Sequence, residues 1–560
     1  MRSTQEKASM TRSLTSRREF LQSGSAALAV SGAMSALGGR LLADTLLGAS
    51  AENEGRQAVA CSRREAAEAA REVLTQGGNA IDAAVAALLV QCVIEPKNVG
   101  LGGYGGSLVY YQAKTGRVES IDFDSRAPRN FDPATFSEAA GLHGYLAVGV
   151  PGVIAGIELA LQRYGTLPFK TLANPALALA ETGIQVTPGL ASSFKELLKS
   201  IDSVSQRAFF PQGVPDEGAV WVQADLARLI RRLSEEGPAS FYGGEIAASI
   251  VRQVQANGGV LAEEDFRGFH AAVVEPLHIN YRGFDLYTPP LPSGGLTSLS
   301  ILKTLEQFDV AKMTPWGAEY IELFAGASHL AWQERFQYFG DPDFVTVPIE
   351  ELLSEQRART RAETLRQGVH DTRSQPPESS HTVNLVVADK EQNVVSLTAT
   401  HGGDYGAHVA IEGLGLMLGH GMSRFDSRST EPNCPAPGKR PQHNMSPLLV
   451  LDHGKPYASL GLPGGRFIVT VTAQLAVNLI DFKASPQQVA SAPRIHTEGE
   501  EPIQVTADTS PAALEDLKLK GREVEVKDAL GGSANAVVID SATGRVQAAA
   551  SGDSTGVLMF

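Results

Sequence analysis

Apolar residues recur at three- and four-residue steps from Arg64 to Val93, first in REAAEAAREVLTQGG and then in the almost wholly apolar AIDAAVAALLVQCVI. The first run predicts an amphipathic helix stopped by Gly77-Gly78, the second a buried helix that starts after Asn79. SLVYYQ and VESIDF predict two strands about the turn AKTG. From Pro151 to His370 the pattern is mainly helical, as in PGVIAGIELALQRYG and QADLARLIRRLSEEG, with glycine at the helix ends. A strand pair, HINYRGFDLYTPP, and the loop LPSGG feeding another helix interrupt that region. DTRSQPPESSH (Asp371 to His381) is polar and proline-rich and reads as an exposed linker. Beyond it the period switches to strands: TVNLVVAD, NVVSLTAT, NMSPLLVLDHGKPYASLG and SANAVVIDSATGRVQAAASG. RFIVTVTAQLAVNLID and PAALEDLKLKG read as helices among them. Strands and covering helices on both sides of one linker predict a layered α/β unit whose chain is interrupted there.

Charge and termini narrow the setting. Acidic residues (62) outnumber basic ones (48), and the net charge of −14 argues against nucleic acid or an anionic membrane as the main partner. SRREFLQ precedes the small-residue apolar run SGSAALAVSGAMSALGG and then LGASA, a cleavage pattern ending at Ala51. The paired Arg17 and Arg18 make residues 1–51 a twin-arginine signal, with export to a periplasm and a mature chain from about Glu52. A membrane anchor is the alternative, but the run is short and rich in Gly, Ala and Ser. Cys61, Cys92 and Cys434 leave open one disulfide or three idle thiols. His401, His408, His420 and His443 lack metal-ligand spacing, so neither a catalytic metal nor a cofactor is expected. The glycines of GLGGYGG follow a helix and lead into a strand, the reverse of a dinucleotide-binding loop.

One hairpin carries candidate chemistry. Folding TVNLVVADKEQNVVSLTAT about Glu391 sets Thr382 opposite Thr400 at the open end, and Thr398 shares the face of Thr400. A structural hairpin explains the pattern by itself. A nucleophile explains it too: a threonine that begins a chain has its own α-amine as base, and the exposed linker before Thr382 suits a chain break. Cleavage of the His381–Thr382 bond would make that terminus, with Thr400 orienting the new amine or hydroxyl. Gly464 and Gly465 in GLPGGRF, before a helix, offer backbone N–H groups for an oxyanion.

The ordered segments GGNAIDAAVAALL, EPKNVGLGGYGG, YLAVGVPGVIAG, FYGGEIAASI, NGGVLAEEDF, YRGFDLYTPPLPSGG, GDPDFVTVP, PGKRPQHNMSP and GLPGGRFIV resemble the γ-glutamyltransferases from about Ala58 to the C-terminus. That family consists of N-terminal-nucleophile hydrolases made as one precursor that cuts itself in two. The resemblance implies an αββα sandwich built from a large subunit, 52–381, and a small catalytic subunit, 382–560. It implies Thr382 as nucleophile, Thr400 as its partner, and Gly464 and Gly465 as oxyanion hole.

The chain departs from the family pattern where a γ-glutamyl donor is held. Val383-Asn384 replaces the usual Thr-His after the nucleophile, and His401-Gly402 stands where an Asn contacts the donor. Asp124 occupies the position of the Arg that grips the α-carboxylate, with Arg126 two residues on and expected on the same strand face. Arg424 replaces the acidic group that grips the α-ammonium, and His443-Asn444 replaces a Ser-Ser pair. An α-amine beside Arg424 would cost roughly 1–4 kcal/mol at intermediate dielectric. Either Asp124 and Arg424 pair with their charges exchanged, or Arg424, Arg126 and His443 bind an acyl group with a carboxylate and no amine. Three functions follow as expectations: a self-processing periplasmic amidohydrolase for such an acyl group, a true γ-glutamyltransferase or glutathione hydrolase, and an uncut, non-catalytic binding protein.

Overall fold

The computed structural model describes residues 55–135, 143–368, 382–499, 502–552 and 554–560. Residues 1–51, expected to be a signal, the linker and His381 lie outside the described residues. Asn79 ends one helix region and starts the next, as its position after Gly77-Gly78 predicts. The helices run Arg64–Thr75 and Ala80–Ile94, and Asn79 and Asp82 form a reciprocal capping box. Asp82 is fully buried and accepts from the N–H groups of Asn79 (3.0 Å), Thr166 (3.0 Å) and Leu167 (3.3 Å) and from the Thr166 hydroxyl. One carboxylate thereby fixes the start of the central buried helix to a distant turn.

Two antiparallel sheets stack face to face. The first has seven strands, in the order Gly556–Met559, Ala58–Cys61, Val383–Ala388, Val394–Thr400, Gly105–Gln112, Arg117–Asp122 and Ala272–Val274. The second has six: Val546–Ala550, Asn535–Ile539, Lys455–Gly461, Leu448–Asp452, Phe284–Thr288 and Leu277–Tyr281. Each sheet draws strands from both sides of the linker, so neither part of the chain has a complete sheet of its own.

Side-chain alternation sorts these strands into layers. Val59, Leu108, Leu385, Val387, Val395 and Leu397 face the helices Arg64–Thr75, Ala80–Ile94 and Val153–Tyr164. Ala58, Ala60, Val109, Val386, Ala388 and Val394 face Leu449, Leu451, Val537 and Ile539 of the second sheet. The outer face of that sheet packs on Gly295–Leu305, Ala318–Tyr338 and Phe467–Ile480. The result is the four-layer αββα sandwich that the resemblance implies.

Toward one end, the space between the sheets becomes polar. Asn384, Ser396, Thr398 and Thr400 follow Val386, Ala388 and Val394 on the same face by period-2 alternation, and all are buried. Ser396 donates to Leu460 O at 3.2 Å, and Asn535 donates from its side chain to Asn384 O at 2.9 Å, tying the two sheets. The sequence pattern misses the terminal strands Ala58–Cys61 and Gly556–Met559, which pair with each other and cover the edge of Val383–Ala388. All three cysteines are free thiols, and burial holds those of Cys61 and Cys92 protonated. Among the described residues no helix is long and apolar enough to cross a membrane.

Replacing Asp82 by Ala strands several buried donors at once. Asp82→Ala is expected to lower stability by about 3 kcal/mol, read as a shift of the urea unfolding midpoint.

Candidate active site

The hairpin folds in the predicted register. Ala399 stands opposite Val383 and Val394 opposite Ala388, which brings Thr400 beside Thr382 at the open end. Asp389 sets the turn: its Oδ1 accepts from the N–H groups of Glu391 (3.0 Å) and Asn393 (2.9 Å). Its Oδ2 accepts from Ala80 N at 2.9 Å, at the start of the buried helix. The Thr382 hydroxyl donates to Thr400 Oγ1 at 3.3 Å, and Thr382 is only 4 % exposed. Thr400 Oγ1 also accepts from Gly402 N at 2.8 Å. Gly402 has φ +100°, and a Cβ there would lie 2.4 Å from the His420 ring. A hydroxyl whose acceptor capacity is anchored by a backbone N–H is held in a fixed orientation.

The same row continues across the sheet. Thr400 pairs with Gly105, and a Cβ on Gly105 would lie 3.1 Å from the Asp124 Cα. Phe123 packs into the core on the helix side, Asp122 ends the strand on the opposite face, and Asp124 follows it beside His443. Asp124 Oδ2 lies 2.6 Å from His443 Nε2, both residues being buried. Met445 N–H donates to His443 Nδ1 at 3.2 Å, which leaves the imidazole proton on Nε2, facing the carboxylate. Burial holds His443 down at about 3, so the ring is neutral at ordinary pH. Burial also pushes Asp124 up to about 7. Its Oδ1 is buried and makes no hydrogen bond, so a proton can sit there without disturbing the His443 contact. Asp122, likewise raised to about 7 by burial, is bonded to Arg440 Nη1 at 2.5 Å, and Arg440 also grips buried Asp341.

Asp124 takes the neutral His443 as its hydrogen-bonding partner, not Arg424, so the exchanged Asp124–Arg424 pair does not form. The Arg424 guanidinium donates to the carbonyl of Gly402 and lies 6.0 Å above the Tyr104 ring, whose edge faces His443. Arg424 and Gly402 therefore belong to the surroundings of Thr400. Arg335, from the helix Ala318–Tyr338, donates to His443 O (3.0 Å) and Asn444 Oδ1 (2.8 Å) and fixes both residues.

Arg126 is a correction. The strand expected to carry it beside Asp124 ends at Asp122, so alternation does not extend to residue 126. Its guanidinium instead lies 3.5 Å from Gly438 O in a separate cavity.

Gly464 and Gly465 adopt φ +132° and +62°, and a Cβ on Gly464 would lie 2.4 Å from the Gly531 Cα. Among the described residues neither of their N–H groups has a hydrogen-bond partner. Their loop leaves the second sheet at Gly461, where a Cβ would meet the Asn384 side chain at 2.3 Å. The two glycines thus follow the strand end that abuts the residue two beyond Thr382. Sequence reasoning did not single out Tyr104, Arg335 or Asn535. An aromatic alone among the glycines of GLGGYGG was the available signal for Tyr104; the other two lie on ordinary helix and strand patterns.

Residues 66–558 match the family described as gamma-glutamyltranspeptidase. The chain belongs to that family. The glutathione hydrolase proenzyme of Escherichia coli strain K12 is 34% identical over 498 residues, covering 83% of this chain and 85% of that relative. The Acylase ACY 1 proenzyme of Pseudomonas sp. strain SE83 is 32% identical over 497 residues, covering 85% and 88%. The crystal structure of cephalosporin acylase from Bacillus halodurans superposes with a TM-score of 0.83 at 27% identity, over 91% of this chain and 97% of that one. As a gamma-glutamyltranspeptidase family member, the chain is an enzyme of the hydrolase and acyltransferase kind that acts on amides.

Gly402→Ala forces a side chain into His420 and displaces the donor to Thr400. Turnover of amide substrates is expected to fall by about two orders of magnitude, measured by single-turnover kinetics beside a thermal melt. Unchanged turnover would show that Thr400 needs no such donor.

Proposed function

We propose that the chain cuts itself between His381 and Thr382 into subunits 52–381 and 382–560, and that Thr382 then hydrolyses an amide through an acyl ester. The observation that carries this reading is the buried hydroxyl pair, Thr382 donating to Thr400 at 3.3 Å, at the polar end of the sandwich. In the precursor, Thr382 Oγ attacks the carbonyl carbon of His381 and the C–N bond breaks, giving an ester that water hydrolyses. The freed α-amine becomes the base. In turnover Oγ attacks the substrate carbonyl, its proton passes to that amine, and the unpaired N–H groups of Gly464 and Gly465 receive the oxyanion. The C–N bond breaks, the leaving amine takes the proton, and water releases the acid. Residues 1–51 would direct export to the periplasm.

The acyl group is read from the charges. Arg424 stands beside Thr400, its guanidinium donating to Gly402 O and lying over the Tyr104 ring, so the site carries a cation where a γ-glutamyl α-ammonium would otherwise be held. That favours an acyl group with a carboxylate and no α-amine, and relatives named acylases fit it. One observation favours the second reading, a γ-glutamyl donor: the unpaired, buried Oδ1 of Asp124 can accept from an ammonium.

Two outcomes test these readings. Thr382→Ala is expected to remain one full-length band on a denaturing gel and to have no activity. If it still splits, Thr382 is not the nucleophile. The second test uses pH. Below about 7 Asp124 is neutral and tolerates a substrate carboxylate; above it the carboxylate repels one and attracts an ammonium. An amine-free dicarboxylic monoamide is therefore expected to show KM rising as pH passes upward through about 7, and Asp124→Asn is expected to flatten that rise. A KM that falls instead, for a γ-glutamyl amide, would establish the second reading.

A further inference from the structure

Behind the segment that carries Asp124 lies a second cavity of about 490 Å³, lined by Arg126, Arg129, Asp265, Phe269, His270 and Gly438 among others. Its volume falls in the range of small-molecule sites. Three of its side chains are basic, in a chain whose net charge is −14. Its one acidic lining residue is already committed: Asp265 Oδ1 accepts from Arg129 N and Oδ2 from Ala262 N, each at 2.9 Å. Among the described residues Arg129 makes no ion pair or side-chain hydrogen bond, and Arg126 makes only the long contact to Gly438 O. Glu158 interacts electrostatically with His270 on this wall. Gly268 leaves room for one guanidinium, since a Cβ there would lie 2.7 Å from Arg129 Nη2. Ala127, Val150, Phe269 and Pro437 give the remaining wall an apolar lining.

We propose that this cavity binds an organic carboxylate, its head on the Arg126 and Arg129 guanidinia and its apolar body against Phe269 and Pro437. Two unpaired guanidinia present fork-shaped donors that match a carboxylate, and the low polarity of the opposite wall favours a ligand with a hydrocarbon body over an inorganic ion. The site is distinct from the Thr382 row and goes beyond the proposed reaction: it is lined by Arg126 and Ala127, whereas Asp124 bonds to His443. Ala127 and Gly438 hold that wall together, Gly438 N donating to Ala127 O at 3.0 Å and Ala127 N to Lys439 O at 2.9 Å.

Isothermal titration of the full chain with phenylacetate and, separately, inorganic phosphate tests the proposal, using the Thr382→Ala background so that turnover plays no part. Phenylacetate is expected to bind, and the Arg126→Ala/Arg129→Ala double variant to bind it more than tenfold more weakly. Gly268→Ala keeps both charges but fills the space beside Arg129, and is expected to weaken binding likewise. Unchanged affinity in both variants overturns the site, as does absence of phenylacetate binding at millimolar concentration. Binding of phosphate but not phenylacetate overturns the organic ligand.

Discussion

The register of one hairpin governs the rest of this molecule. Val383–Ala388 and Val394–Thr400 lie at the centre of the first sheet, and a slip of one residue would turn every side chain to the opposite layer. Leu385, Val387, Val395 and Leu397 would then face the second sheet, while Asn384, Ser396, Thr398 and Thr400 would be driven into the helix-side core. Burying several hydroxyls and an amide without partners costs far more than the hairpin could recover. Asp389 adds a local constraint to this global one, because its two oxygens bind both the turn and the N-terminus of the buried helix. The Thr382–Thr400 contact is therefore a product of core formation. It needs no dedicated interaction to bring the two residues together.

The same alternation explains why the site sits at one end of the sandwich. Apolar side chains fill the space between the sheets at Val386, Ala388 and Val394, and polar ones replace them toward the open end, at Asn384, Ser396, Thr398 and Thr400. Close backbone approach then takes over from side-chain packing. Gly105 brings Asp124 into the row, Gly402 brings an amide to Thr400, and Gly464 lets the loop after the second sheet lie against Gly531. Arg440 supports this end electrostatically. It lies between Asp122 and the fully buried Asp341, whereas Asp124 has no guanidinium partner among the described residues.

Much of this was legible in the chain and some was not, for physical reasons. Strand alternation on either side of DKEQN was strong enough to predict the pairing to the residue, since β-branched runs flank one polar turn. Helix ends were marked by Asn79 and by glycines, whose effects are local. The strands Ala58–Cys61 and Gly556–Met559 were missed because each is short and is defined by a partner hundreds of residues away. Arg126 was placed wrongly because alternation was carried past Asp122, where the strand ends and the chain turns to run beside Lys439. The partner of Asp124 was also beyond reach. Whether a carboxylate pairs with His443 or Arg424 depends on distances between loops, which no spacing along the chain encodes.

The pairing of Asp124 with a neutral imidazole changes what the exchanged charges mean. Had Asp124 and Arg424 neutralised one another, the site would present no net charge to a substrate and its selectivity would lie in shape alone. With Asp124 held by His443, the protein keeps two groups of opposite preference within one enclosed space: a permanent cation at Arg424 and a carboxyl that titrates near neutrality. The adjustment near neutrality falls on the two neighbouring buried carboxyls, Asp124 and Asp122, both raised to about 7 by burial. The Oδ1 of Asp124 is a buried oxygen that no protein donor satisfies, and such an atom is costly to leave bare. A proton satisfies it at lower pH and a substrate donor at higher pH. Under the reading proposed above, the choice between an amine-free acyl group and a γ-glutamyl group is thus a choice about that oxygen.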